Sequence, residues 1–218
     1  MLGTIYKGGI VVPVLITLML TVLCLSVERY LAQRTAFGKM ATTKFVVAIK
    51  AALAKNDFVE AKNLCAKQRG TIANVVGASL NAYEEMERTQ GIKKAQKISK
   101  IQQAHEEAVQ LEMPTLQMNM PILATLVTLG TLTALFGTVL GMIGSFQALA
   151  AGGGGDSMAL SLGISEALVN TASGIATSWV AVVAYNTYTN KIDKLTYALD
   201  EVGYTIAQTY EANHTEEA

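Results

Sequence analysis

No charged residue occurs between Glu112 and Asp156, and this gap limits the chain's possible folds more than any other feature. A membrane-crossing helix needs about 20 mostly apolar residues. The stretch MPILATLVTLGTLTALFGTVLGMIGSFQALA, residues 120–150, is longer than that, so it can cross with tilt or continue past the bilayer. A second apolar run extends from Ile10 to Val27 and is closed by Glu28 and Arg29; a third extends from Leu160 to about Tyr188. Pro13 falls in the first turn of its helix, where a missing N–H is tolerated. A cleaved signal peptide fits the first run poorly, because the only early cation is Lys7 and no small-residue cleavage pattern follows. The composition agrees: 16% of residues are charged and the mean hydropathy is +0.33, against about 25% charged in soluble domains.

Four consecutive glycines in AAGGGGDS make a turn between the second and third runs, since such a run holds a helix only at high entropic cost. Those two spans then form an antiparallel hairpin. Orientation follows the cations near the span ends. Arg29, Arg34, Lys39 and Lys44 follow the first span, Lys191 and Lys194 follow the third, and the glycine turn has none. The expected fold is all-α, a polytopic membrane protein. Residues 1–9 form a periplasmic N-terminus, 10–28 the first span, and 29–118 a helical cytoplasmic domain. Residues 119–150 form the second span, 151–159 a periplasmic turn, 160–188 the third span and 189–218 a cytoplasmic C-terminal helix.

Within the cytoplasmic part, Asp57 is a candidate N-cap with Glu60 at the capping-box position. Gly70 is expected to end that helix and Thr71 to cap the next. Gly91 is a weak point in the following helix, and Pro114 and Pro121 interrupt the pattern leading into the second span. Ile192, Leu195, Leu199, Val202, Ile206 and Thr209 form one helical stripe. That stripe suits either docking on the chain's own helices or contact between subunits.

Little in the sequence suggests soluble-enzyme chemistry. The formal net charge is zero, which gives no electrostatic signal for nucleic acid. Cys24 and Cys65 lie in different contexts and read as unpaired. His105 and His214 lack metal-ligand spacing and read as surface residues. The GGGG run lacks the Lys-Ser/Thr of a phosphate loop. The expectation is no enzyme activity, no cofactor and no metal.

The spans carry the informative polar residues. Glu166 is the only charged residue between Asp156 and Lys191, and a carboxylate at membrane depth is costly and rarely faces lipid. At 100° per residue, Asn170, Ser173 and Thr177 lie at about 40°, 340° and 20° from Glu166, so the four share one face. Thr171 and Ser178 lie together on another. Thr131, Leu135, Thr138 and Met142 form a stripe in the second span, and Gly137, Gly141 and Gly144 permit close helix approach. Thr138 is 12 residues before Ala150 and Thr171 is 13 after Met158, which puts both about 18–20 Å below the turn. Such hydroxyls can also simply glue helices together.

The segments LFGTVLGMIGSF (135–146) and GISEALVNTASGIATSWVAVVAYN (163–186) resemble those of the MotA/TolQ/ExbB proton-channel family, and the three-span layout is more similar to ExbB and TolQ than to the four-span MotA type. The resemblance implies a homo-oligomer, a pentamer, with the second and third spans around a pore. It implies an ExbD/TolR-like partner whose single-span helices sit in that pore and carry a proton-bearing aspartate. Thr138 and Thr171 would line the pore and Glu166 matches the family glutamate. Asn170 stands where the better-known sequences have a small residue. The implied function is a motor in the bacterial inner membrane that couples the proton motive force to a TonB- or TolA-like protein. Alternatives are envelope constriction, gliding, or a passive membrane scaffold.

Overall fold

The computed structural model describes residues 9–151 and 157–214. Seven helices are described: α1 (Val11–Ala36), α2 (Thr42–Ala54), α3 (Phe58–Gln68), α4 (Thr71–Arg88), α5 (Lys94–Gln117), α6 (Met120–Ala151) and α7 (Ser157–Asn213). Three described helical stretches are long and apolar enough to cross a membrane. The glycine turn at 152–155 and nearly all of the N-terminal segment lie outside the described residues. The third span and the C-terminal helix, expected as separate segments, are one helix of 57 residues.

The chain forms two compact units. The first holds α1 up to Arg29, α6, and α7 up to Tyr188. Val22, Leu123, Leu126 and Ala181 form its core, with Leu18, Leu25 and Tyr188 packed around them. Val11 and Leu15 close on Ala134 in a second cluster. Two bonds tie the unit at the Glu28 end of α1: Tyr188 Oη donates to the Ser26 carbonyl at 2.6 Å and Asn119 Nδ2 to Glu28 Oε2 at 3.2 Å. Phe136, Ile175 and Trp179 are 58–67% exposed. Large apolar side chains left open on a spanning helix face lipid or another subunit.

The second unit holds α1 from Tyr30, α2 to α5, and α7 from Thr189. Ile192, Leu195, Leu199, Val202 and Ile206 are at most 4% exposed, so the α7 stripe is buried within the chain's own unit. Asp57 caps α3 as the pattern requires, accepting from the Glu60 N–H at 2.8 Å. Thr71 does not cap α4. Gly70, at φ +81°, occupies the N-cap; the Thr71 hydroxyl and the Asn74 amide instead donate to the Glu112 carboxylate of α5 at 2.9 and 2.8 Å. The chain breaks between α4 and α5 around Gly91, at φ +81°, and between α5 and α6 at Asn119, at φ +62°. Pro114 stays inside α5, while Pro121 falls in the first turn of α6, where it costs little.

His105 is not on the surface. It is 8% exposed, lies 2.9 Å from Ser79 Oγ through Nδ1, and turns its Nε2 edge onto Gly203 of α7. A lone histidine among Lys and Glu residues gives no sequence sign of burial, because its partners come from α4 and α7. His214 is half-buried and stacks on Tyr210 with ring centroids 4.2 Å apart.

Candidate functional site

α6 and α7 pack antiparallel with almost no side chain between their backbones at several levels. A Cβ at Gly174 would overlap Ala134, one at Gly130 would meet Ser178, and one at Gly141 would sit 3.2 Å from the Gly163 carbonyl. Small residues at such levels let helix backbones approach closely. Gly137 faces Asn170 of α7 and Val11 of α1. Gly144, the third glycine expected in helix packing, has no heavy atom within 4 Å of where a Cβ would be; it faces a cavity.

Close approach brings hydroxyls from the two helices together. Thr138 Oγ1 and Thr171 Oγ1 are 2.6 Å apart. The same two oxygens lie within reach of backbone carbonyls: Thr138 of Ala134 O at 3.0 Å and Ala167 O at 3.3 Å, Thr171 of Ala167 O at 3.1 Å. Both side chains are half-buried. Thr131 and Ser178 form a second pair at 2.9 Å, and Ser178 also reaches the Val127 carbonyl at 2.7 Å. Ser145 continues the series, donating to the Gly141 carbonyl at 2.8 Å and lying against Gly163. Thr131, Thr138 and Ser145 recur every seven residues, as do Thr171 and Ser178; that period keeps one face of each helix on the shared seam.

The other polar face of α7 meets α1 and α6. Glu166 is half-buried, and its carboxylate lies against Gly9, at φ +62°, where any side chain would overlap it. Glu166 also lines a cavity of about 560 Å³ together with Val11, Gly141, Gly144 and Ser145. Asn170, one turn along α7, is 1% exposed, and neither end of its amide has a hydrogen-bond partner. Thr177 is buried and donates to the Ser173 carbonyl at 2.9 Å; Ser173 itself is half-buried. The expected four-residue face is therefore turned inward, with Glu166 at its open end. Sequence reasoning missed that Gly9, just before α1, lies against Glu166, and it missed Ser145, Gly163 and Gly174. The heptad spacing of the hydroxyls was the available signal for Ser145.

The Cys65 thiol is pushed up to about 11 by burial and is no nucleophile at neutral pH. Among the described residues no cluster of three His, Cys, Asp or Glu side chains could hold a metal.

The family model described as the MotA/TolQ/ExbB proton channel family matches residues 70–201, more than half of the chain. The Tol-Pal system protein TolQ of Pseudomonas aeruginosa is 27% identical over 143 residues, covering 65% of this chain and 59% of that protein. TolQ of Haemophilus influenzae is 33% identical over 88 residues, covering 40% and 39%. The putative biopolymer transport protein ExbB-like 3 of Synechocystis is 32% identical over 87 residues, covering 39% and 41%. The chain thus spans about six-tenths of the first of these relatives and about four-tenths of the other two. With the match running from α4 through the paired spans and along α7, this multi-pass membrane protein belongs to the MotA/TolQ/ExbB proton channel family.

Proposed function

We propose that this chain is the channel-forming stator subunit of a proton-driven motor in the bacterial inner membrane, with its N-terminus periplasmic and its C-terminus cytoplasmic. Five copies surround the single-span helices of an ExbD/TolR-like partner, and proton flow drives a TonB- or TolA-like protein. The observation that carries the reading is the Thr138–Thr171 pair, two hydroxyls 2.6 Å apart on the paired spans. Each hydroxyl carries one proton and can accept as well as donate. A partner carboxylate beside the pair would gain a charge-assisted hydrogen bond, stronger than the one from hydroxyl to carbonyl that it replaces. Glu166, beside its cavity, supplies a protonatable group on the route towards the pair. A proton crossing 100 mV releases about 2.3 kcal/mol, so large mechanical work needs several protons per cycle.

TonB-type output follows from the resemblance to ExbB; the two relatives named TolQ favour Tol-type output as a second reading. The test is partner-dependent proton uptake into vesicles containing the reconstituted complex. Thr138→Val or Thr171→Val keeps the shape and removes the hydroxyl, and is expected to lower uptake at least about tenfold, the loss of one charge-assisted bond, with the oligomer intact. Serine variants are expected to retain much of the flux. Full flux in both valine variants would make the threonines helix glue. No flux in the wild-type complex would leave a passive scaffold.

A further inference from the structure

Tyr30, Gln33, Arg34 and Phe37 on α1 and Lys191 on α7 line a cavity of about 460 Å³. It is separate from the Thr138–Thr171 seam and from Glu166. Tyr30 and Arg34 are one turn apart, as are Gln33 and Phe37, so α1 contributes two adjacent ridges. The Lys191 ammonium lies 5.8 Å from the centre of the Tyr30 ring, within cation–π range. The lining contains two cations and no carboxylate. A concave surface lined by charge of one sign raises the local concentration of ions of the opposite sign.

The position of these residues in the chain identifies the ion. The apolar run of α1 ends at Val27, and Tyr30 to Phe37 occupy the next turns; the charge-free run of α7 ends at Lys191. Both walls therefore stand where the spans leave the bilayer. Tyrosine is enriched at that level, and basic pockets there hold anionic lipid headgroups. We propose that this cavity binds the headgroup phosphate of an anionic phospholipid. The Arg34 guanidinium grips two phosphate oxygens through its planar fork, Lys191 supplies a compact charge beside them, and Phe37 offers apolar surface to the glycerol. The inference needs only the membrane spans and does not depend on proton flux.

The test uses the full-length oligomer in mild detergent, titrated with phosphatidylglycerol, phosphatidylcholine or inorganic phosphate and read by native mass spectrometry. Phosphatidylglycerol is expected to be retained in preference to phosphatidylcholine. Each of Arg34→Gln and Lys191→Gln is expected to reduce that retention about fivefold, and the double variant about 25-fold, from the weight of one cation near a lipid surface. Both side chains are exposed, and helical content by circular dichroism checks that each variant folds; either single variant suffices if the double variant does not. Equal retention of the two lipids, or no change in the variants, overturns the proposal. Displacement of phosphatidylglycerol by millimolar inorganic phosphate overturns the lipid assignment in favour of a soluble phosphate. Loss of the oligomer in the variants, with or without lipid, also overturns it, because the two cations would then pair with carboxylates of a neighbouring copy.

Discussion

Thr138 and Thr171 hold two protons between them and have more acceptors than that. If Thr138 donates to Thr171, Thr171 donates to the Ala167 carbonyl; if the direction reverses, Thr138 donates to Ala134 or Ala167. In either arrangement, turning one hydroxyl away from a carbonyl frees a donor for a neighbouring acceptor. Glu166 sits in a different setting, between Gly9 and a cavity. Glu166→Gln is expected to keep more proton uptake than Glu166→Ala, because a neutral amide imitates the protonated acid and still fills the space. Equal losses in both would assign the role to the ionised carboxylate. In the second unit His105 is the buried titrating residue at a helix contact. Ser79 Oγ can give its proton to the Val75 carbonyl at 2.9 Å, and Nδ1–H then donates to Ser79, which leaves Nε2 bare. Burial holds the imidazole below its ordinary range, outweighing the opposing pull of Asp200 and Glu106. The unfolded chain then binds the proton more readily than the folded one. Stability is complete above about pH 6.5, the ordinary histidine value, and falls as the pH drops from there towards the lowered folded value. Hydrogen exchange of α4 and α5, corrected for intrinsic rates, is expected to quicken between pH 7 and 5. His105→Gln is expected to flatten that dependence; an unchanged slope would locate the titration elsewhere.

The helices differ in how much of their structure could be read from sequence. The spans were legible because missing charge is a local property, and the Asp57 cap because its partner is three residues away. The level of Thr138 and Thr171 followed from helix rise alone, since an antiparallel hairpin fixes one helix against the other. What escaped depended on residues far apart in the chain: Gly9 against Glu166, Gly203 under the His105 ring, and Glu112 taking the Thr71 hydroxyl. The α6–α7 seam offers a test by contrast between glycines. Gly174→Val would drive two methyl groups and a Cβ into Ala134 and is expected to cost about 1–3 kcal/mol, the usual penalty of overpacking. Gly144→Ala meets open space and is expected to match wild type or exceed it by up to about 1 kcal/mol, the gain of alanine over glycine inside a helix. Thermal unfolding in detergent compares the two, and similar losses would mean that α6 packs in another register.

At the scale of the whole molecule, the α7 stripe belongs to the core of the second unit. Leu199 is fully buried there, so Leu199→Glu is expected to unfold that unit and lower the yield of folded chain. An intact unit that fails only to assemble would return the stripe to a subunit contact. The outward faces of the spans have the opposite character, with large apolar side chains waiting for a covering surface. Trp179 is one of them, 67% exposed, and it is the only tryptophan in the chain. Its neighbour Ser178 is bonded to the Val127 carbonyl, which fixes the backbone that carries the indole. The molecule therefore has a built-in optical reporter on α7 that needs no label. Brominated acyl chains quench an indole on contact, so the light lost in brominated lipid measures how much of that face the bilayer touches. If the proposed assembly covers that face, quenching is expected to fall as copies associate; unchanged quenching would leave Trp179 facing lipid in the assembly too.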